Sequence, residues 1–491
     1  MKSFWAVMLI SGIPSKIGDC EKLMQYELGQ SDDLVFHKFD TVKGGALVVF
    51  IDGLVNKDLI DRDVMTPLKS AQFDGNPTLA VKTPFKDICD VKQTVESILS
   101  GNVAVFYEGF EKALIAELRG WEQRSVEEPT AETVIRGPKE GFTENIRTNT
   151  SLIRRKIKTA DLMIENLSMG LHTNTKVNLV YIQGIVNRSV LQELKKRLSA
   201  IGSNVDAILE TGYIEQYIDE NAFSPVSGIG ITQKPDNVAT SILEGRVAVL
   251  CDGTPHALIV PELFMSNIQT AEDYYNRSVY ASAMRLLRLF GLFITVMLPG
   301  LSVAIITFNQ EMLPSVFLTS IISASQKTPM PVSAEIILLT IMFELLREAG
   351  TRLPKAVGSA ITIVGSLIIG EAAVNAGIVS EPSVIIVALT AVSSFMVPNL
   401  FEFALIYRLF YWILGTLMGI IGIAAGFFIM MTQLISVKSF GVPILSSFSK
   451  QELKDSVVRF PLRRMVFRPV SIVKDNVRKK TRQFSDKRGS V

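Results

Sequence analysis

Apolar positions change their pattern twice along this chain. Up to residue 282 they come in short β-branched runs separated by glycine and charged stretches. From 283 to 437 they lengthen into segments that reach or approach a membrane crossing, and from 438 they give way to a polar tail. The pattern predicts an α/β soluble N-terminal region built from two repeated α/β units, followed by an all-α polytopic membrane domain and a basic tail.

The repeat is read from two pairs of segments. ALVVFIDGLVNKDLI (46–60) matches VNLVYIQGIVNRSVL (177–191), each an apolar run, a glycine, then Val-Asn and a helix-like pattern. SILSGNVAVFYEGFEKALI (97–115) matches SILEGRVAVLCDGTPHALI (241–259) more closely. The pairs occur in the same order, which a duplicated unit explains. Each unit reads strand, helix, helix, strand, strand, with Gly53 and Gly184 where a strand must turn into a helix. The predicted division is an N-terminal segment 1–30, a first repeat 31–136, a basic linker helix region 137–170, a second repeat 171–282, a membrane domain 283–437 of about four to six helical segments, and a basic cytoplasmic tail 438–491. In the linker, Asn145 and neighbouring threonines can cap or turn the chain, and Arg154 and Arg155 flank an apolar stripe. Asn145, Arg147, Asn149, Arg154 and Arg155 are candidates for contact with another subunit or with headgroups; a solvated connecting helix is the alternative.

Within the membrane half, 285–308 is long enough to span, with Arg285 and Arg288 before it and Pro299-Gly300 predicting a kink. Segments 313–325 and 333–346 are short, 356–380 and 382–397 read as spans, and 404–435 is overlong and glycine-rich, so it tilts, breaks or folds back. Counting full spans puts the tail on the opposite side from the N-terminal domain, against its charge. In 356–380, Gly358, Thr362, Gly365, Ile369 and Ala373 fall on one face. Small faces allow close helix packing or leave room for water in a pore. Glu371 and Asn375, one turn apart, favour the pore, and in a ring of subunits Glu371 forms an acidic ring that favours cations.

Composition sharpens this picture. The 491 residues are 48% hydrophobic with a mean hydropathy of +0.31. The net charge of +2 is polarised: residues 1–282 carry 29 Lys+Arg against 37 Asp+Glu, and residues 451–491 carry 12 against 4. That tail is expected against an anionic, cytoplasmic lipid surface. Three scattered cysteines form no disulfide framework or CxxC pair, and FWAVMLISGIP lacks a clear cleavage site, so the large N-terminal domain is expected in the cytoplasm. No phosphate loop, dinucleotide fingerprint, HExxH or histidine cluster is present. Neither catalytic nor metal residues are assigned, and no enzyme activity, cofactor or nucleic-acid partner is expected.

Several stretches resemble one family: SDDLVFHKFD (31–40), VVFIDGLVNKDLI (48–60), EGFTENIRTNTSLIRRKIKT (140–159), FELLREAGTRLPKAVG (343–358) and NAGIVS (375–380). They resemble the A subunit of GerA-type nutrient germinant receptors of bacterial endospores, in family order. The resemblance implies a spore inner-membrane protein acting with a transporter-like B subunit, which binds the nutrient, and a lipoprotein C subunit. It also implies a homo-oligomer, a pentamer in the family view, forming a ligand-gated cation channel. REAGTRLP then lies at the cytoplasmic mouth of the pore helix. Glu344, Arg347, Glu348 and Arg352, spaced by three or four residues, are the candidate gating cluster, with Pro354 between the helices. A topology anchor is the plainer role for these charges. A germination-amplifying paralogue and a non-conducting scaffold or transporter component are the alternative functions.

Overall fold

The computed structural model describes residues 12–41, 44–70, 84–120, 132, 136–202, 204–221, 224–352, 370–445, 455–465 and 467–473. Two five-stranded antiparallel sheets form the first half. The first contains β1 (Leu34–Thr41), β2 (Gly44–Ile51), β3 (Phe85–Ile88), β4 (Val103–Tyr107) and β5 (Ala113–Ala116), in the order β1-β2-β4-β5-β3. The second contains β6 (Leu162–Met169), β7 (Thr175–Ile182), β8 (Gly230–Thr232), β9 (Val247–Cys251) and β10 (Ala257–Val260), in the order β6-β7-β9-β10-β8. The two orders are equivalent strand for strand. The segments matched in sequence lie on β2 and β7, and on β4-β5 and β9-β10.

Helices cover both faces of each sheet, which is why the inner strands read as continuous apolar runs rather than alternating ones. On the first sheet, Leu47, Val49 and Phe106 face α1 (Ile17–Leu28). The opposite set, Val48, Phe50 and Val105, packs with Ile60, Val64 and Leu68, from a helical segment over 57–70 (α2) that contains a π turn at Asp61–Met65. Helix α3 (Val91–Leu99) joins α1. On the second sheet, α4 (Ile146–Lys156) and α7 (Pro235–Leu243) cover Val180, Ile182 and Leu250, while α5 (Arg188–Gly202) and α6 (Thr211–Ile218) cover Leu179 and Val249. Thus α4, the basic linker helix of the sequence reading, is a layer of the second sheet, its Ile153 fully buried.

Each unit has two strands more than the sequence pattern predicts. β1 and β6 are half-exposed edge strands whose alternation is broken by charged and polar residues, and β8 has only three residues. Gly53 and Gly184 do sit at strand ends with φ of 89° and 86°, the left-handed turn expected of them.

The second half is helical: α8 (Ser278–Phe308), α9 (Ser315–Ser325), α10 (Val332–Arg352), α11 (Glu381–Ser394) and α12 (Phe401–Ser436). Among the described residues, two helical stretches, Ser278–Phe308 and Pro398–Ser436, are long and apolar enough to cross a membrane. The second is not a single rod. Gly419 is non-helical (φ 62°, ψ −143°), and the chain reverses there. Tyr407 donates to Gln433 at 2.6 Å across 26 residues, which a straight helix would hold about 39 Å apart. A Cβ on Gly422 would fall 2.4 Å from the Leu414 carbonyl. The first arm crosses α8 with backbones touching: a Cβ on Gly300 would lie 2.4 Å from the Tyr411 carbonyl, and one on Gly415 2.4 Å from that of Gly300.

This reversal settles where the tail goes. Gly419 packs on Phe308, at the far end of α8, so the second arm returns toward the α/β half. Asn221 donates to the Lys438 carbonyl at 3.0 Å and Asn187 to that of Ile472 at 2.6 Å. Phe440, Val442, Ile472 and Val473 complete the core of the second sheet. Residues 438–445 and 467–473 dock on the second unit, because their apolar side chains fill its core; most of the basic residues expected on lipid fall beyond them, in 474–491. Residues 474–491 lie outside the description.

Spin labels on Tyr407→Cys and Gln433→Cys, in a Cys89→Ser background, will report a separation in the full-length protein far below the roughly 39 Å of a straight helix. A separation close to that of a straight helix would overturn the hairpin.

Candidate functional site

Charges buried in an apolar bundle must be paired, and the partners reveal what is being held. Glu344 on α10 accepts from Arg347 Nε at 2.9 Å and from Arg408 Nη2 at 2.6 Å. Arg408 is 3% exposed, the single charge within the apolar run ALIYRLFYWILG. Arg347 stacks over Phe401, 3.4 Å from the ring centroid. Glu344 therefore joins α10 to the first arm of α12. The other half of the predicted cluster, Glu348 with Arg352 at 2.6 Å, forms an exposed pair on the same helix. Pro354 lies outside the described residues.

Of the predicted pore positions, Gly358, Thr362, Gly365 and Ile369 also lie outside the described residues. Glu371 and Asn375 are exposed, and Ala373 packs against α10 and α11. The sequence reading missed Glu335, which is fully buried and accepts from the Ser380 amide at 3.1 Å, Ser380 Oγ at 2.5 Å and Ser383 Oγ at 2.6 Å. It caps α11 from a neighbouring helix, at the positive end of its dipole.

The five linker candidates are all engaged inside the chain. Asn145 caps α4 by accepting from the Arg147 and Thr148 amides at 2.9 and 3.4 Å. Buried Asn149 accepts from the Thr143 amide at 2.8 Å and donates to the Thr143 carbonyl at 2.6 Å. Arg154, 2% exposed, makes a fork with Asp33 at 2.7 and 2.8 Å and donates to Ser31 Oγ at 2.9 Å. Arg147 pairs with Asp52, and Arg155 with Glu140 at 3.1 Å. Asp33 and Asp52 belong to the first unit, so Arg147 and Arg154 of α4 pin the two sheets together.

A third network sits at the neck between sheets and bundle. Arg285, 1% exposed, donates from Nε to Asp273 at 3.0 Å and from Nη1 to Asp455 Oδ1 at 3.2 Å. Arg288 completes a fork on Asp273, 2.9 Å to each oxygen. Tyr274 donates to Asp455 at 3.1 Å, and Arg459 donates to the Asn276 and Tyr274 carbonyls at 2.8 and 3.2 Å. Burial opposes the charge of Asp273, but hydrogen bonds from Arg288 and Arg285 outweigh it and hold the carboxyl below its ordinary range. At Asp455 burial wins: with help from the Glu244 charge and against the pull of Arg285, it pushes the carboxyl up to about 6. Arg285 and Arg288 thus clamp the base of α8 to both the second unit and the tail.

An α/β head of two like-ordered sheets, clamped by buried ion pairs to an apolar helical bundle, defines the class of protein. The model of the family described as Bacillus/Clostridium GerA spore germination protein matches residues 22–471, and the chain belongs to that family. It is 39% identical to spore germination protein KA of Bacillus subtilis (strain 168) over 499 aligned positions, 98% of this chain and 90% of that protein. It is 38% identical to the uncharacterized membrane protein YfkQ of the same strain, covering 91% of this chain and 89% of that one. Among solved structures it is similar to the N-terminal domain of the A subunit of the Bacillus megaterium spore germinant receptor GerK3. That match has 30% identity and a TM-score of 0.39, and covers 52% of this chain and 97% of that one.

Asp455 gives the neck a pH signature. Its native carboxyl titrates above the ordinary 3.8, so between about pH 4 and 6 the folded state binds more protons than the unfolded state, and this group lowers stability as pH rises through that window. Asp455→Asn will flatten the pH dependence of the thermal midpoint there; an unchanged slope would contradict the assignment.

Proposed function

We propose that the chain is the A-type subunit of a spore germinant receptor, working as a homo-oligomer that conducts cations when a nutrient is sensed. The observation that carries this reading is family membership over residues 22–471. The resemblance behind it adds a pentameric assembly, a transporter-like B subunit that takes the nutrient, and a lipoprotein C subunit. We place the protein in the endospore inner membrane with the α/β head and tail in the spore core. The docking of the tail on the second unit supports a common side for both. We also infer that the two units arose by duplication, supported by their equivalent strand orders. No enzymatic role is proposed.

In this reading the Glu344–Arg408 link sets the angle of α10 just before the segment read as pore-lining, 356–380. Exposed Glu371 and Asn375, at the end of that segment, are left facing neighbouring subunits or the conduction path. The near-equal likeness to protein KA and to YfkQ keeps a second reading in play, a paralogous channel subunit not tied to one nutrient.

Potassium release from spores tests the gate. Removing one partner of a buried pair costs about 3–5 kcal/mol, whereas removing both costs far less. Glu344→Gln and Arg408→Gln are each expected to abolish triggered release or cause leak at normal protein level, with the double variant closer to wild type. Wild-type release from both single variants would remove the pair from gating.

A further inference from the structure

The charges that join α10 to α12 do not balance. Two guanidiniums, Arg347 and Arg408, share one carboxylate, and both oxygens of Glu344 are taken. The charges acting on Arg408 are those of Glu344 and Arg347, and its Nε is buried without an acceptor among the described residues. Arg347 donates only through Nε, so its two Nη groups, a fork that matches a phosphate, find no acceptor among the described residues. The neighbouring acids are engaged elsewhere: Glu348 pairs with Arg352, and Glu402 acts on Glu215 of the head. One positive charge is therefore left over in an apolar bundle, where an uncompensated charge is costly.

The surroundings indicate what cancels it. Phe343, one turn before Arg347 on the same face of α10, meets Phe395 at the end of α11 edge to face, with ring centroids 6.4 Å apart. Phe395 is 61% exposed. Arg347 lies over Phe401, the first residue of α12, and its side chain is 27% exposed. An accessible fork thus stands at one end of an accessible apolar seam. Its depth is fixed as well. Arg347 lies in the last two turns of α10, and Phe403, just after Phe401, packs on Phe264 between β10 and α8 at 5.6 Å. This is the boundary of the bundle on the side of the head, the level of lipid headgroups.

We propose that this seam seats one anionic phospholipid, its phosphate on the Nη groups of Arg347 and an acyl chain against Phe343 and Phe395. The lipid's charge cancels the surplus that Arg347 and Arg408 share. It also makes the lipid a member of the link between α10 and α12, so the angle of α10 depends on the composition of the leaflet beside the head. The inference rests on the placement of the helical half in a membrane and on neither conduction nor oligomeric state.

The test is native mass spectrometry of the full-length protein in neutral detergent, titrated with dioctanoyl phosphatidylglycerol, dioctanoyl phosphatidylcholine and glycerol phosphate. Phosphatidylglycerol is expected to bind saturably, one per chain. Phosphatidylcholine, without net charge, and glycerol phosphate, without chains, should each bind at least about ten-fold more weakly, the former by the scale of one hydrogen bond to a charged group. Arg347→Gln should weaken phosphatidylglycerol at least about ten-fold, while Arg352→Gln, at an exposed arginine of the same helix, leaves it unchanged. Should Arg347→Gln misfold, Phe395→Asp, at an exposed position on the seam, is expected to weaken it by a similar factor. Equal binding of the two lipids would mean that the seam takes chains alone, and glycerol phosphate as tight as the lipid would mean a site for free phosphate. Equal losses in Arg347→Gln and Arg352→Gln would mean diffuse attraction. Each of these overturns the proposal, as does absent binding or unaltered affinity in folded Arg347→Gln or Phe395→Asp. Flotation with phosphatidylcholine vesicles reads the membrane placement separately. A protein that floats without this selectivity contradicts the lipid site alone, and one that does not float contradicts the membrane placement and the site with it.

Discussion

A guanidinium taken out of water must find its acceptors inside the protein, and at Arg285 that requirement organises the whole molecule. Its acceptors come from the neck, through Asp273, and from the tail, through Asp455. Arg285 itself belongs to the first long apolar helix. The neck, the first long helix and a tail segment 170 residues further on are thereby obliged to meet at one point. Tyr274 and the backbone carbonyls gripped by Arg459 tighten the same joint. Movement of α8 relative to the head must either break these bonds or carry the tail along. Such a joint couples any displacement of α8 to both the head and the tail.

The same logic recurs at two other levels. Arg154 reaches from a helix of the second sheet to Asp33 at the edge of the first, so the two sheets are held by a buried fork rather than by a broad apolar face alone. Arg408 reaches Glu344, so the hairpin of α12 is fixed to α10. Each pair is costly to bury and costlier to break, which favours defined relative positions over sheer stability. Glycine does the complementary task in the bundle. Gly300 and Gly415 let α8 and α12 approach backbone to backbone, and Gly419 supplies the left-handed turn that sends the chain home.

Much of this architecture was legible in the residues. The runs that became β2, β4, β7 and β9 stand out because both faces of those strands are covered, and the matched segments fall on equivalent strands. The pairs Glu344–Arg347 and Glu348–Arg352 form as helical spacing dictates. What stayed hidden was long-range. A basic helix looks alike whether its arginines meet water or a carboxylate 121 residues away, so the roles of Arg154 and Asp33 could not be read locally. Arg408 did carry a signal, as a lone charge in an apolar run, but its partner lies 64 residues earlier. The docking of the tail's first part was hidden because basic residues dominate the tail's composition, while a few apolar ones, Phe440, Val442, Ile472 and Val473, fill the core of the second sheet.

The most direct test of the neck as the joint is hydrogen exchange of the full-length protein carrying Arg285→Met. With the clamp released, amides in 269–276 and 455–473 should exchange at least about ten-fold faster, the effect of losing about 1.4 kcal/mol of local protection, while the inner strands of both sheets stay protected. Unchanged exchange in those segments would show that head, tail and bundle are held together by something other than Arg285.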